Sequence, residues 1–297
     1  IKKKIIETTP LHLCYNFSRF FKDRANVNYI KNRKKSNKVL VMDTTDFAKA
    51  QGHWILAKMG KRVLRPGGKE LTQKLVSGLH ISHQDDIVEF APGMGFTASL
   101  TIAQQPKSYV GVDADEDVVK MLGEKFKGEN IKFVLGNAAQ TSLENNSKDK
   151  VYGEAMLTMH ADHRKSEIIK EAHRILKKGG FYAIHELGLV EVDTDLKNEI
   201  QRDLALSIKV NARPLTETEW KTLLEQEGFK IKEVYTNGMY LLDFKRVLED
   251  EGILRSLKIG YNIAVNAPAR KRIVEMYRVF QKHRQHMNAI VLIAEKI

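Results

Sequence analysis

The chain has 297 residues, a hydrophobic share of 42% and a net charge of +12. That length suffices for one large α/β domain with an accessory part, or for two small domains, and the apolar share supports a packed core. No apolar run approaches the length of a membrane span, and a single cysteine, Cys14, excludes an internal disulfide and a thiol-rich metal site.

The charge is unevenly placed. Eleven of the 49 Lys/Arg and two of the 37 Asp/Glu lie in residues 1–41, so that stretch carries +9 of the +12. Residues 1–41 therefore read as a basic extension, disordered or upstream of a natural start at Met42. The other reading is an arm that contacts nucleic acid or an anionic surface. No apolar leader core is present near the N-terminus, so a cytoplasmic location is the expectation, with no membrane partner.

In chain order, residues 46–60 predict a helix carrying Phe47, Trp54, Ile55 and Leu56. Pro66-Gly67-Gly68 interrupts the chain, and Leu71, Leu75 and Leu79 give the next helix one apolar face. Residues 42–85 thus read as an N-terminal helical cap. An apolar run at 86–90 then enters the turn Gly93-Met94-Gly95, a helix-compatible stretch follows, and a second apolar run ends on Asp113. This strand–turn–helix–strand–acid order lets a nucleotide-like cofactor sit across the ends of two parallel strands. The glycines permit close backbone approach, the helix start offers free N–H groups, and Asp113 can accept hydrogen bonds from two ribose hydroxyls.

Further strands are expected at 131–135, about 150–157, 181–185, 229–235 and 289–294. A helix over 163–177 would be capped by Asp162 and end at Lys177-Lys178-Gly179. Thr216-x-x-Glu219 is a capping box ahead of Trp220, Leu223 and Leu224. Residues 86–237 read as the cofactor-binding core and 288–297 as its final strand. Residues 238–287 exceed what a hairpin needs, with helices expected at 244–258 and 267–284. Asn266 would cap the second, Pro268 fits its first turn, and Ile273, Met276, Tyr277 and Phe280 form its apolar stripe.

Several segments together resemble class I S-adenosylmethionine-dependent methyltransferases of the small-molecule type. Glu89-x-Ala91-x-Gly93-x-Gly95 is similar to that family's first motif, with alanine at the place of the first glycine. GVDADEDVVKML resembles the second motif, and IKFVLGNAAQTSL the third, with Asn137 for the usual aspartate. DKVYGEAMLTMH, EAHRILKKGGFYAIHE and LTETEWKTLLEQEGF resemble later segments in the family's order, with Lys178 in place of a proline. The resemblance implies a doubly wound Rossmann-like α/β sheet of about seven strands. Its last strand would be antiparallel, with an N-terminal helical cap and a helical lid insertion.

The resemblance also implies roles. S-adenosyl-L-methionine would be the cofactor. Glu89, Ala91, Gly93 and Gly95 would surround its methionine portion, and Asp113 with Ala114 its ribose. Asn137 and Ala138 would face the adenine, and Leu157 and Thr158 would back the sulfonium. His160, His185 and Glu186, at the ends of strands four and five, are the candidate catalytic groups. His53, Trp54 and Tyr277 are candidates for holding a small-molecule methyl acceptor, and Arg202 and Arg213 could pair with an anionic one. No metal is expected.

Two other readings use the same residues. A nicotinamide-dependent oxidoreductase would use Gly93, Gly95 and Asp113, but the chain has no Tyr-x-x-x-Lys pair. A non-catalytic, RNA-associated protein would hold phosphates with the basic arm and Arg270-Lys271-Arg272. Strand four ends Ala155-Met156-Leu157-Thr158 and not [D/N]-P-P-[F/Y], which argues against methylation of adenine or glutamine amides.

Overall fold

Ile87, Val88 and Phe90 are fully buried on strand β1 (Asp86–Phe90), so both faces of this strand are covered, as in the centre of a parallel sheet. The structure is a computed structural model and describes residues 47–297. The expectation for residues 1–41 lies outside the described residues.

The remaining strands are β2 (Ser108–Asp113), β3 (Ile131–Leu135), β4 (Lys148–Glu154), β5 (Leu176–Leu189), the two-residue β6 (Leu215–Thr216), β7 (Phe229–Gly238) and β8 (Met287–Lys296). The sheet order is β3-β2-β1-β4-β5-β8-β7, with β6 beside β5. β8 enters antiparallel between β5 and β7, and the other main pairs are parallel.

Helices cover both faces. On one, Ile168, Ala172 and Ile175 of α5 (Asp162–Ile175) and Trp220 and Leu224 of α7 (Glu217–Gln226) pack on Val88, Val151, Ile184 and Leu292. On the other, Leu71, Leu75 and Leu79 from α2 (Gly68–Gly78) and its end, with Ala98 of α3 (Phe96–Ile102), pack on Ile87, Tyr152 and Val291. The neighbouring positions 87 and 88 face opposite layers, as the two-residue period of a strand requires. α4 (Glu116–Lys125) follows β2.

A third apolar cluster lies beyond the C-terminal end of β5. It joins Leu56 of α1 (Gly52–Lys58), Leu187 and Leu189, Ile200 and Leu204 of α6 (Thr194–Ile208), and Met276 and Phe280 of α10 (Ala267–Lys282). α8 (Phe244–Glu251) and α9 (Ile253–Val265) complete the segment between β7 and β8. Among the described residues no helix is long and apolar enough to cross a membrane.

Several boundaries differ from expectation. The first helix begins at Gly52, not at 46. Ala161, not Asp162, is the N-cap of α5; Asp162 is its first residue and pairs with Lys165 Nζ at 2.6 Å. That helix stops at Ile175, where β5 starts at once with Leu176 paired to Lys148 of β4. The helix expected over 244–258 is two helices, broken at Gly252 with φ +77°. The capping box at Thr216 and Glu219 is present, and Asn266 Oδ1 caps α10 by accepting from Ala269 N at 3.0 Å.

Candidate cofactor and acceptor site

After β1 the chain turns sharply. Ala91 and Gly93 have φ of +52° and +54°, and Gly95, φ +71°, is the N-cap of α3. The two glycines serve different ends. A methyl group on Gly93 would meet nothing nearer than Ala91 O at 3.9 Å, so the turn is open on that side. A methyl group on Gly95 would strike Leu122 and Phe126 at 2.5 and 2.9 Å, so Gly95 lets α4 pack against the turn.

Asp113 stands at the end of β2, half-buried beside this opening. Its two oxygens accept from Gly93 N at 3.3 Å and Asp115 N at 3.0 Å, which leaves each a further lone pair. Burial raises its pKa against the opposing effect of these bonds. It is not the cap of the following helix. Asp115 is, accepting from Asp117 N and Val118 N at 2.9 and 3.3 Å. Ala114 is exposed next to it. Across β3, Asn137 Oδ1 accepts from Ala139 N at 3.0 Å and from Arg164 at 2.7 Å, and Ala138 is half-buried.

Beneath the turn lies a polar network. Glu89, expected against the methionine portion, is buried and accepts from the hydroxyls of Tyr109 and Tyr152, the latter at 2.7 Å. Its carboxylate therefore ties strand ends together below the turn. Burial pushes its pKa up to about 7, although the tyrosine bonds oppose the rise. Glu154, at the end of β4, accepts from Thr72 Oγ1 at 2.8 Å, from His185 Nδ1 at 2.7 Å, and from Arg65 and Thr97. Burial works against its ionisation, but Arg65 and then His185 outweigh it and hold the pKa at about 2. The sequence pattern did not single out Arg65, Thr97 or Glu154, nor tie Thr72 to them. They come from two helices, a loop and a strand far apart in the chain.

The expected catalytic residues sit in three different surroundings. His185 is fully buried and held by Glu154, and among the described residues its Nε2 has no partner. Glu186 is also buried, and it clamps the turn after β4. It accepts from the backbone N–H of Met156, Leu157 and Thr158 at 2.8–3.0 Å and from Thr158 Oγ1 at 2.7 Å. Its two oxygens thus take four donors and hold the turn in place. His160 follows that turn half-buried, its pKa lowered by burial and by Arg164 and Lys165.

A cavity of about 70 Å³ opens beside the clamped turn. Ala155, Thr158, Glu186 and Leu187 form its floor, Leu64 and Pro66 one wall, and α1, α6 and α10 its roof through His53, Leu56, Leu204, Ile208, Met276 and Phe280. Of the three expected acceptor contacts only His53 lines it. Trp54 lies outside, its ring centroid 5.2 Å from that of His53, and Tyr277 is on a different side of α10 from Met276. Arg202 and Arg213 are not among the lining residues either. Elsewhere Glu199, Asp203 and His283 converge, but the Lys282 ammonium already bridges the two carboxylates at 2.6 and 2.7 Å.

Residues 88–184 match the sequence family described as a methyltransferase domain. An uncharacterized protein of Haemophilus influenzae is 34% identical over 246 residues, spanning 80% of this chain and 96% of its own length. This chain belongs to the class I S-adenosylmethionine-dependent methyltransferases. The methyltransferase is also 22% identical to a phosphoethanolamine N-methyltransferase of Plasmodium falciparum, over 67% of this chain and 82% of that one. Its fold is similar to that of Haemonchus contortus phosphoethanolamine N-methyltransferase 2, solved with phosphomonomethylethanolamine and S-adenosylhomocysteine. There the TM-score is 0.62 at 14% identity, covering 82% of this chain and 57% of that one. The methyltransferase is an enzyme that uses S-adenosyl-L-methionine. The open flank of Gly93 beside Asp113 fits such a cofactor, offering backbone approach and a carboxylate for ribose.

Proposed function

We propose that this methyltransferase methylates a small or medium-sized molecule in the cavity bounded by the turn after β4 and by α1, α6 and α10. The observation that carries the reading is the size and lining of this cavity, about 70 Å³ of mostly apolar surface under the three helices, which suits a compact acceptor better than folded RNA or protein. Ala91, Gly93 and Gly95 would line the methionine side of the cofactor, Asp113 and Ala114 the ribose, and Asn137 and Ala138 the adenine. Leu157 and Thr158 would border the reacting end. The cofactor supplies an electrophilic methyl group, so the residues' part is to align the acceptor and exclude water.

The RNA-associated reading finds less support. In its basic cluster Arg272 is buried and pairs with Glu275, and Arg270 is engaged by Ala264 O.

Calorimetry tests the assignment. S-adenosylmethionine should bind, and a nicotinamide dinucleotide should not. Asp113→Ala should weaken cofactor binding by roughly 1.5–3 kcal/mol, as expected for bonds to a charged group. Asp115→Ala should instead lower stability by about 1 kcal/mol, the usual effect of losing a cap, with cofactor affinity unchanged. Methyl transfer to folded RNA or protein, with none to small molecules, would overturn the acceptor reading.

A further inference from the structure

We infer, resting on the acceptor site just proposed, that the acceptor is an uncharged, largely apolar molecule whose weakly acidic hydroxyl or thiol gives its proton to His53. Two features of the cavity lead there. Its walls are leucine, isoleucine, methionine, phenylalanine, proline and alanine side chains, with only His53, Thr158 and Glu186 as polar contributors. No Lys or Arg side chain lines it, so a phosphate would enter without a counter-charge, at a desolvation cost of several kcal/mol. Glu186 cannot serve as the counter-ion of an ammonium group without giving up the bonds that shape the turn after β4.

His53 is the one lining base with its valence unspent. Among the described residues neither of its ring nitrogens has a hydrogen-bond partner, and its ring contact is with Trp54. The groups packed around it do not compete. From α6 and α10 the lining residues are Leu204, Ile208, Met276 and Phe280, none titratable. Arg272 of α10 is turned to Ala50 O and Glu275, and Glu186 is the other titratable group of the lining. Burial lowers the pKa of His53 and so keeps it in the neutral, proton-accepting form. In the transfer, an oxygen or sulfur lone pair of the acceptor forms the bond to the methyl carbon as the carbon–sulfonium bond breaks. The bonding pair returns to sulfur, and the acceptor proton passes to His53. An amine acceptor that arrives neutral needs no such base, which is why the chemistry points to O–H or S–H.

At about 70 Å³ the cavity is smaller than the roughly 150 Å³ apolar cavity known to hold benzene, so a ring-sized acceptor must displace side chains. Met159, Met239 and Met276 line it, and methionine is the apolar side chain best able to re-pack around a guest.

The test uses the wild-type protein first. With S-adenosylhomocysteine saturating, calorimetry should show binding of 4-methylphenol or phenylmethanethiol and none of phosphoethanolamine. His53→Gln should keep that binding within about threefold and melt normally, while kcat falls by about 100-fold or more, the range of a lost general base. The wild-type rate should fall at acid pH as His53 takes up a proton, on the acid side of the ordinary histidine value of about 6.5 because burial lowers its pKa; that limb should vanish in His53→Gln. Binding of phosphoethanolamine, no binding of either apolar probe, or a His53→Gln enzyme with wild-type kcat and acid limb would each overturn the inference. Absence of S-adenosylhomocysteine binding would instead sink the cofactor site, and this inference with it.

Discussion

Nδ1 of His185 stands 2.7 Å from Oε1 of Glu154, both side chains sealed below the cofactor crevice. Glu154 is thereby the hub of a network that also takes in Arg65, Thr72 and Thr97. Its pKa of about 2 lies below its ordinary 4.5, so its contribution to stability is present above pH 4.5 and is lost as pH falls toward 2. Glu154→Gln should be less stable than wild type by roughly 3 kcal/mol at pH 7, with the gap closing between pH 4.5 and 2. Urea unfolding across that range measures it. A gap independent of pH would mean that the charge of Glu154 contributes nothing.

Glu89 should behave in the opposite sense. Its folded pKa of about 7 exceeds its ordinary 4.5, so the folded state holds a proton that the unfolded state releases. Stability should therefore fall as pH rises from 4.5 to 7 on account of this residue. Glu89→Gln keeps a partner for the tyrosines and removes the buried charge, and should be more stable than wild type by roughly 1–3 kcal/mol above pH 7. Identical pH profiles for the two proteins would show that Glu89 stays ionised in the fold.

The two glycines of the turn should separate in their effects. Gly93→Ala adds a methyl group where only Ala91 O is near, so cofactor affinity should drop by tenfold or more while stability falls by about 1 kcal/mol for the left-handed backbone. Gly95→Ala drives the same methyl group into Leu122 and Phe126, so its main effect should be a stability loss of about 3 kcal/mol. Paired thermal melts and cofactor titrations check this. Loss of affinity without loss of stability in Gly95→Ala would reverse the two roles.

Ala91 occupies the place of a glycine at φ +52°, a conformation that costs an alanine about 1–2 kcal/mol. Ala91→Gly should relieve part of that, offset by lost packing and backbone entropy, for a net gain of at most about 1 kcal/mol. Its N–H should still donate to Val112 O, so cofactor affinity should hold. A clear destabilisation in chemical unfolding would show that the methyl group's packing on the apolar layer outweighs the strain.

The sheet was legible in the sequence because its signals are local. The run at 86–90, the capping box at Thr216 and Glu219, and Asn266 ahead of Pro268 each depend on residues a few positions apart. The antiparallel last strand followed from the family resemblance and is seen between β5 and β7. What the sequence hid is set by distance along the chain. His185 and Glu186 read as candidate catalytic groups at a strand end, but their partners, Glu154 and the N–H groups of 156–158, arrive from β4 and its exit. Tyr277 belonged to an apolar stripe, yet helix periodicity does not tell which edge of the stripe meets the cavity. Gly252 splits α8 from α9 inside a stretch whose composition otherwise reads as one helix.

Gly238 and Asn288 are directly paired between β7 and β8. Residues 239–286, with α8, α9 and α10, thus leave the sheet and return to it beside a single rung, and α10 supplies one of the three sides of the cavity roof. Joining two adjacent strands makes nearly the same demand on the chain whether the bridge is a tight turn or a multi-helix excursion, because closure entropy grows only with the logarithm of its length. The α10 side of the roof is therefore an interchangeable part. Lengthening, shortening or swapping it would reshape what the enzyme admits while leaving the Gly93 turn and Asp113, on the far side of β1 and β4, untouched.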